Sequence, residues 1–314
     1  MIKPKEFIEE KVQEIKEVDG KAVVGCSGGV DSTVSSVIAS KALGDDLLAI
    51  YVDTGYMRKN ETEEMDSILE EMGVNHKVID AKEEFYEEME GVSDPEEKRK
   101  IIGNKFIEIF EREAEKFGAD YLVQGTIAPD WIESGDENRD TIKSHHNVGG
   151  LPEKMGLDLI EPLYDLYKDE VRKVARELGI STAEKQPFPG PGLAIRVIGE
   201  ATPEKTEIVR EACHIVENEI DKAVEEGKME RPWQYFAVLL PVKTVGVQGD
   251  KRAYGHTIAI RAVQSSDAMT ARFSRIPLDV LDRISTKITN EMKDEVNRVV
   301  YDVTNKPPGT IEWE

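Results

Sequence analysis

Through the first half of the chain, short apolar runs alternate with longer stretches whose apolar residues recur at helical spacing. The runs cover residues 22–24, 47–52, 77–79, 121–123 and 157–160, and the helical patterns are plainest over 32–43, 60–72, 95–117 and 168–178. Alternation of this kind predicts an α/β fold, a doubly wound parallel sheet with helices on both faces. Ligands of such sheets bind at the carboxyl ends of strands, where Ser27 and Asp53 both fall. The pattern changes at Gln186-Pro187-Phe188-Pro189-Gly190-Pro191-Gly192, whose prolines and glycines end the helix before them. A domain boundary is expected there, with residues 1–186 in the first domain and 187–314 in a smaller second one. The second should hold a strand at 193–198, a helix opened by Thr202-Pro203-Glu204, a strand pair near 236–240 and 257–263, a helix over 278–292, and a last strand pair at 298–303 and 310–313. This mixed order predicts an α+β unit. No internal repeat or low-complexity tract is present.

A chain of 314 residues, 39% of them hydrophobic, can build two domains with real cores. Its apolar runs fall well short of membrane-spanning length, and its first ten residues lack the basic and apolar regions of a signal peptide, so a cytoplasmic protein with no membrane partner is expected. Two cysteines, Cys26 and Cys213, fit a reducing compartment and offer no paired spacing for zinc or an iron–sulfur cluster. The formal charge of −22 disfavours a polyanion such as tRNA as the main partner, although a local basic patch would survive inside an acidic total. Most of the acid, as at 83–88 and 108–115, reads as solvated helix face.

Chemistry first appears where the strand at 22–24 runs into Ser27, Gly28 and Gly29 and then into a helix opened by Asp31, Ser32 and Thr33. Paired glycines let backbone N–H groups approach an oxyanion, and the helix N-terminus adds aligned donors and a partial positive charge. The loop contains no Lys and only two adjacent glycines, so it is neither a Walker A loop nor a dinucleotide fingerprint. An acidic Asp31 beside a polyphosphate makes sense with Mg²⁺ between them; as plain structure, Asp31 and Ser32 would serve as helix caps. Asp53 is either a contact for a nucleoside or a cap at its Asp-Thr-Gly corner. A long stretch from Gly125 to Pro152 carries Asp130, Glu133, Lys143 and the adjacent pair His145 and His146, a notable share of the five histidines. It reads either as a lid or as a surface loop.

The string Ser-Gly-Gly-Val-Asp-Ser resembles the signature of the ATP pyrophosphatase family, whose members include GMP, NAD, asparagine and argininosuccinate synthases and tRNA-thiolating enzymes. That likeness implies an adenine nucleotide alpha hydrolase-like fold and attack at the α-phosphorus of ATP. Further segments narrow it: Ile132-Glu133-Ser134, Lys143-Ser144-His145-His146-Asn147, residues 187–193, Lys98-Arg99-Lys100-Ile101-Ile102-Gly103, residues 244–250, and Lys306-Pro307-Pro308-Gly309-Thr310-Ile311-Glu312-Trp313-Glu314 together resemble GMP synthases. The family pattern usually has Ala where this chain has Gly309. By this resemblance Ser27, Gly28, Gly29, Val30, Asp31, Ser32, Thr33, Asp53 and Gly125 hold ATP with Mg²⁺. Asp31, Asp130, Glu133, Lys143, His145 and His146 are the catalytic candidates, and Arg58, Gly190, Gly192, Gln248, Lys306, Thr310, Ile311 and Glu312 are those for XMP. The implied reaction adenylates XMP at O2 and replaces AMP by ammonia, giving GMP. Single-chain members carry a glutaminase ahead of this portion, whereas only 20 residues precede Lys21 here. The resemblance therefore implies a synthetase subunit fed by a separate glutaminase, and a homodimer through the second domain. Both cysteines are expected to be core.

Overall fold

The five apolar runs of the first half pair into one parallel sheet. The computed structural model describes residues 2–129, 156–181, 185–248, 251–266 and 268–314. The strands are β1 (Ala22–Cys26), β2 (Leu47–Asp53), β3 (His76–Asp80), β4 (Tyr121–Val123) and β5 (Asp158–Ile160), in the order β3-β2-β1-β4-β5 across the sheet. β1 lies at the centre, pairing with β2 from Ala22 and Leu47 to Cys26 and Tyr51, and with β4 from Ala22 and Tyr121 to Val24 and Val123. Its residues Ala22, Val23 and Val24 are buried because crossover helices cover both faces of a parallel sheet. The order turns back at β1, so the ligand crevice of this topology opens beyond the ends of β1 and β4.

The helices of this half are α1 (Pro4–Ile15), α2 (Val30–Leu43), α3 (Glu61–Glu71), α4 (Lys82–Glu88), α5 (Pro95–Phe117) and α6 (Lys168–Leu178). α2 is buried along most of its length, and its buried Ser36 donates to the Ser32 carbonyl at 2.7 Å. α4 covers the acidic stretch at 83–88 read as a helix face, whereas α1 was not among the predicted elements. α1 starts on Pro4, a residue preorganised for a first helical position, and packs on α2 and α6.

Two compact units result, and they are interleaved in sequence. The first comprises Met1–Thr54, Asn60–Ala81 and Gly103–Lys185; the second comprises Gly55–Lys59, Lys82–Ile102 and Gln186–Glu314. Long-range bonds explain why residues 55–59 count with the second unit: the Tyr56 carbonyl accepts from Leu193 N at 2.8 Å, and its hydroxyl donates to the Ala201 carbonyl at 3.1 Å. Pattern along the chain carries no trace of such bonds.

In the second unit, α7 (Pro203–Glu225) is capped by Thr202, whose hydroxyl accepts from Lys205 N at 3.3 Å. β6 (Gln234–Gln248) and β7 (Lys251–Gln264) form a long antiparallel hairpin, and the far edge of β7 takes β8 (Arg272–Phe273) and the parallel β9 (Val296–Tyr301). α7 packs on β6 and against α8 (Leu278–Glu291), burying Val209, Val216, Ile220, Phe236, Val280 and Ile284. Two expected strands are absent. Residues Gly192–Arg196 form a 3₁₀ turn whose Ala194 carbonyl, with that of Val197, accepts from the buried Lys98 ammonium at 3.1 and 2.8 Å. The stretch at 310–313 is irregular because the carbonyls of Thr310 and Ile311 are taken by Arg261 rather than by a strand.

Cys26 and Cys213 are both buried, as core residues should be. Burial pushes the Cys26 thiol up to about 11, against the opposing bond to Ser36, and burial likewise raises Cys213 against the nearby Arg196 cation. With so high a pKa only about one Cys26 in a thousand is thiolate at pH 8. Native protein titrated with Ellman's reagent at that pH should therefore release almost no chromophore, and protein in guanidinium should release two equivalents. Rapid labelling of the native state would overturn this assignment.

Candidate functional site

β1 ends at Cys26 and α2 begins at Val30, leaving Ser27, Gly28 and Gly29 to make the connection. Gly29 is the N-cap of α2, in extended geometry at φ −78° and ψ 154°, and supplies no side-chain acceptor to the first-turn amides. Most helices place Ser, Thr, Asp or Asn there. Here Asp31 and Ser32 lie inside the first turn instead, and the capping position itself offers no side-chain acceptor. Ser32 ties the loop together: its hydroxyl donates to the Gly29 carbonyl at 3.1 Å, accepts from Ser27 N at 3.2 Å and lies 3.2 Å from Ser27 Oγ. The Thr33 hydroxyl also donates to the Gly29 carbonyl, at 2.9 Å.

Two glycines are required by this geometry. Gly28 has φ +76°, and a Cβ there would stand 3.1 Å from Oε1 of the buried Glu61. Gly125 follows β4 with its Cα against the loop, so that a Cβ would meet the Asp31 carbonyl carbon at 3.0 Å and Ser32 N at 3.1 Å. Asp31 itself is paired with Lys168, the first residue of α6. The loop lacks a lysine of its own, and the fold brings one to it. Asp53, at the end of β2, is 4% exposed and accepts from the Thr62 hydroxyl of α3 at 2.7 Å.

Most of the second group of candidates gathers in the second unit. Arg58 donates to the carbonyls of Gln186 and Pro187 at 3.0 and 3.2 Å, with its guanidinium 4.2 Å from the centre of the Phe188 ring. Gly190 is exposed, and Gly192 is buried and closes a turn on the Pro189 carbonyl at 2.9 Å. Glu312 is held by Arg196 at 2.8 Å, and Thr310 donates to the Glu312 carbonyl. Ile311 is buried, and Lys306 reaches the Ala268 carbonyl at 2.8 Å. Gln248 stands apart from this group. It ends the 15-residue β6, which starts at Gln234 beside Glu312, and a strand of that length spans tens of ångströms at ~3.3 Å per residue.

The family profile described as GMP synthase C terminal domain matches residues 219–313, and that of NAD synthase matches residues 1–106. One similar protein, a subunit of the glutamine-hydrolyzing GMP synthase of Thermoplasma acidophilum, is 57% identical over 309 residues, which cover 98% of each chain. Its counterpart from Methanopyrus kandleri, likewise named as a subunit of that enzyme, is 58% identical over 319 residues, with both chains covered completely. The chain belongs to the GMP synthase family. A longer relative, the glutamine-hydrolyzing GMP synthase of Clostridium tetani, is 55% identical over 314 residues, 98% of this chain but 61% of that protein. For a GMP synthase chain, the NAD synthase match over the glycine loop is what a shared nucleotide-handling half produces, as the loop's resemblance implied.

Of the residues expected to act in this GMP synthase family member, Asp130, Glu133, Lys143, His145 and His146 lie outside the described residues. Four others went unremarked in the sequence: Lys168, Arg196, Gln234 and Arg261. Nothing in local spacing distinguishes a Lys that opens an amphipathic helix, or an Arg in an apolar run, from its neighbours. Mg²⁺ fits the loop in one respect, since Asp31 supplies a carboxylate at the helix N-terminus. Among the described residues no group of three His, Cys, Asp or Glu could hold a metal.

Gly125→Ala should press the new methyl into the Asp31–Ser32 backbone, costing about 1–3 kcal/mol by overpacking and weakening ATP binding ~10-fold or more. Gly103→Ala, within α5 and with open space around it, is the control, expected to be neutral or slightly stabilising. Calorimetric ATP titration and thermal melts of both variants check this; unchanged ATP affinity in Gly125→Ala would remove the close-approach argument.

Proposed function

We propose that this protein is the synthetase component of a two-component GMP synthase. ATP is held by the first unit and XMP by the second. The xanthine O2 attacks the α-phosphorus, forming the O–P bond as the bond to pyrophosphate breaks. Ammonia then adds at C2, and the C2–O bond breaks to release AMP and a proton, leaving GMP. The observation that carries this reading is the near full-length match to GMP synthase subunits together with a helix N-terminus left without a side-chain cap at the end of the central strand.

In this reading the amides of residues 27–33 and the α2 dipole stabilise the charge that develops on departing pyrophosphate. Lys168 shares its ammonium between Asp31 and the phosphates. Asp31 would hold Mg²⁺, which would supply neutralisation of the charge on the departing pyrophosphate. Asp53 lies on the adenosine side, and Gly125 keeps the space beside the loop open. Lys143 with His145 or His146 stabilises the transferred phosphoryl group or takes the proton from ammonia, and Asp130 and Glu133 position Mg²⁺ or the amine, or balance the charge of Lys143. Lys306 and the backbone near Thr310 and Ile311 hold the 5′-phosphate of XMP, Arg58 assists, and Gly190 and Gly192 line the purine. Gln248, at the end of its hairpin, contributes to an XMP site in a homodimer. A separate glutaminase partner in the cytoplasm supplies the ammonia, in keeping with relatives of equal length that are named as one subunit of a glutamine-hydrolyzing enzyme.

Given ATP, XMP, Mg²⁺ and an ammonium salt, the isolated chain should form GMP, AMP and pyrophosphate in equal amounts, and glutamine should not replace ammonium. Formation of ADP and phosphate would eliminate the scheme. Lys306→Ala should raise the KM for XMP by ~10–100-fold, the loss of one charge-assisted contact of about 1.5–3 kcal/mol. The KM for ATP should hold steady, and an unaltered XMP dependence would move the phosphate site elsewhere.

A further inference from the structure

The helices α2 and α6 each follow a strand of the parallel sheet, so their N-termini meet at the carboxyl ends of the strands, where Lys168 pairs with Asp31. One turn further along the same face of α6 stands Arg172. Its side chain is half-buried, and its Nε is shut off from solvent with no hydrogen-bond partner. The acids nearest it on the helix are engaged elsewhere, Asp169 with Lys173 at 3.3 Å and Glu170 with Tyr167 N at 3.1 Å. One turn beyond Asp31 on α2 comes Ser35, fully buried, whose hydroxyl likewise bonds to nothing among the described residues. In a chain of 63 acidic and 41 basic residues, a half-buried guanidinium with no carboxylate is the exception. Every other described arginine that is not exposed meets a carboxylate or a backbone carbonyl.

A cation drawn partly out of water with no anion opposite it is unfavourable, and an anion completes such a place. Lys168 and Asp31 cancel one another, and the N-termini of both helices add partial positive charge. Arg172 is therefore the unmatched cation, about 5.4 Å along the helix axis from Lys168. Side chains of a helix lean toward its N-terminus, which carries the Arg172 guanidinium toward the glycine loop rather than away from it. Were its role only to tie α6 to α2, the polar group one turn beyond Asp31 would be its partner, yet Ser35 makes no such bond. A guanidinium grips two oxygens of one phosphoryl group at once, whereas neither the base nor the sugar of a nucleotide calls for a cation.

We propose that Arg172 is a catalytic residue that grips the departing pyrophosphate, a second cation brought by the fold to a loop that has none of its own. This rests on the reading that residues 27–33 receive that pyrophosphate. As the bond from the α-phosphorus to its bridging oxygen breaks, the electron pair stays on that oxygen and the charge of the leaving group grows. A donor aimed at charge that develops in this way lowers the barrier more than it tightens substrate binding. Lys168 must share its ammonium with Asp31, whereas Arg172 gives up no partner when the phosphates arrive.

The test measures the ammonium-driven reaction of ATP with XMP, and the binding of Mg²⁺-pyrophosphate and of AMP by calorimetry, in the wild-type chain, Arg172→Met, Arg172→Lys and Arg176→Met. Methionine keeps the apolar stem and loses the charge; lysine keeps the charge and loses the fork. Arg172→Met should lower kcat by ~100-fold or more, the usual cost of one donor aimed at developing charge, with the KM for XMP nearly unmoved. Its affinity for Mg²⁺-pyrophosphate should fall by ~10-fold or more while that for AMP stays within ~2-fold, since AMP lacks the group that is gripped. Arg172→Lys should fall between Arg172→Met and wild type on both readouts, and Arg176→Met, one turn further along α6, should match wild type. Unchanged kcat and pyrophosphate affinity in Arg172→Met, or equal losses for pyrophosphate and AMP as a merely structural role would give, would each overturn the proposal. If Arg172→Met does not melt as a folded protein, Arg172→Lys decides alone, and wild-type pyrophosphate affinity there would overturn the proposal. Absence of any pyrophosphate from wild type with ATP, XMP and ammonium would instead overturn the underlying reading.

Discussion

A cation cut off from water has to be met by an anion or by carbonyl oxygens inside the fold, and in the second unit three such cations are met by one short stretch of chain. Lys98, Arg196 and Arg261 have no exposed surface. Lys98 pairs with Glu314, and Arg196 with Glu312. Arg261 lies 3.3 Å from Asp302 and donates to the carbonyls of Thr304, Thr310 and Ile311. Removing one partner from a buried pair costs about 3–5 kcal/mol, so the stretch from Asp302 to Glu314 is held without helix or sheet over most of its length. The influence runs both ways: burial drives the Lys98 ammonium below its ordinary pKa and the Glu314 carboxylate opposes that, whereas for Arg196 burial is outweighed by Glu312 and the guanidinium is held above its ordinary value.

The first unit handles charge by the opposite means. Its loop offers few charged side chains and relies on backbone amides at the end of the central strand, with Ser32 and Thr33 securing the turn from within. Amides held by a helix need no reorganisation when a phosphate arrives, and the space they need is created by omission of side chains at Gly28 and Gly125. Lys168 on Asp31 adds a cation at the rim, half exposed and able to change partners. One unit thus presents fixed backbone dipoles at a glycine loop, and the other presents charges clamped in buried pairs.

Much of this architecture is visible along the chain. Continuous apolar runs separated by helical periodicity located every strand of the parallel sheet, and the bounds of α5 and α6 coincide with the periodic stretches because long amphipathic helices repeat one face several times over. α1 escaped notice, being an acidic helix with few apolar positions to mark a face. The run at 192–196 is apolar enough for a strand, yet in a fully buried turn every direction is inward, so apolar content alone does not separate the two. The stretch at 310–313 has strand-like composition and lost its ladder partners to Arg261.

What the sequence determined by itself is what local residue identity controls: the parallel α/β half, the glycine loop at the first strand's end, and the motif set that ties the chain to its family. Which distant side chains meet was decided only in three dimensions. Lys168 reaches Asp31 across 137 positions, Arg196 reaches Glu312 across 116, and residues 55–59 count with a unit whose main body starts at Gln186. Periodicity reports which way a residue faces relative to its neighbours in the chain. Coulombic pairing and burial depend on what stands opposite, and that is a property of how the layers stack.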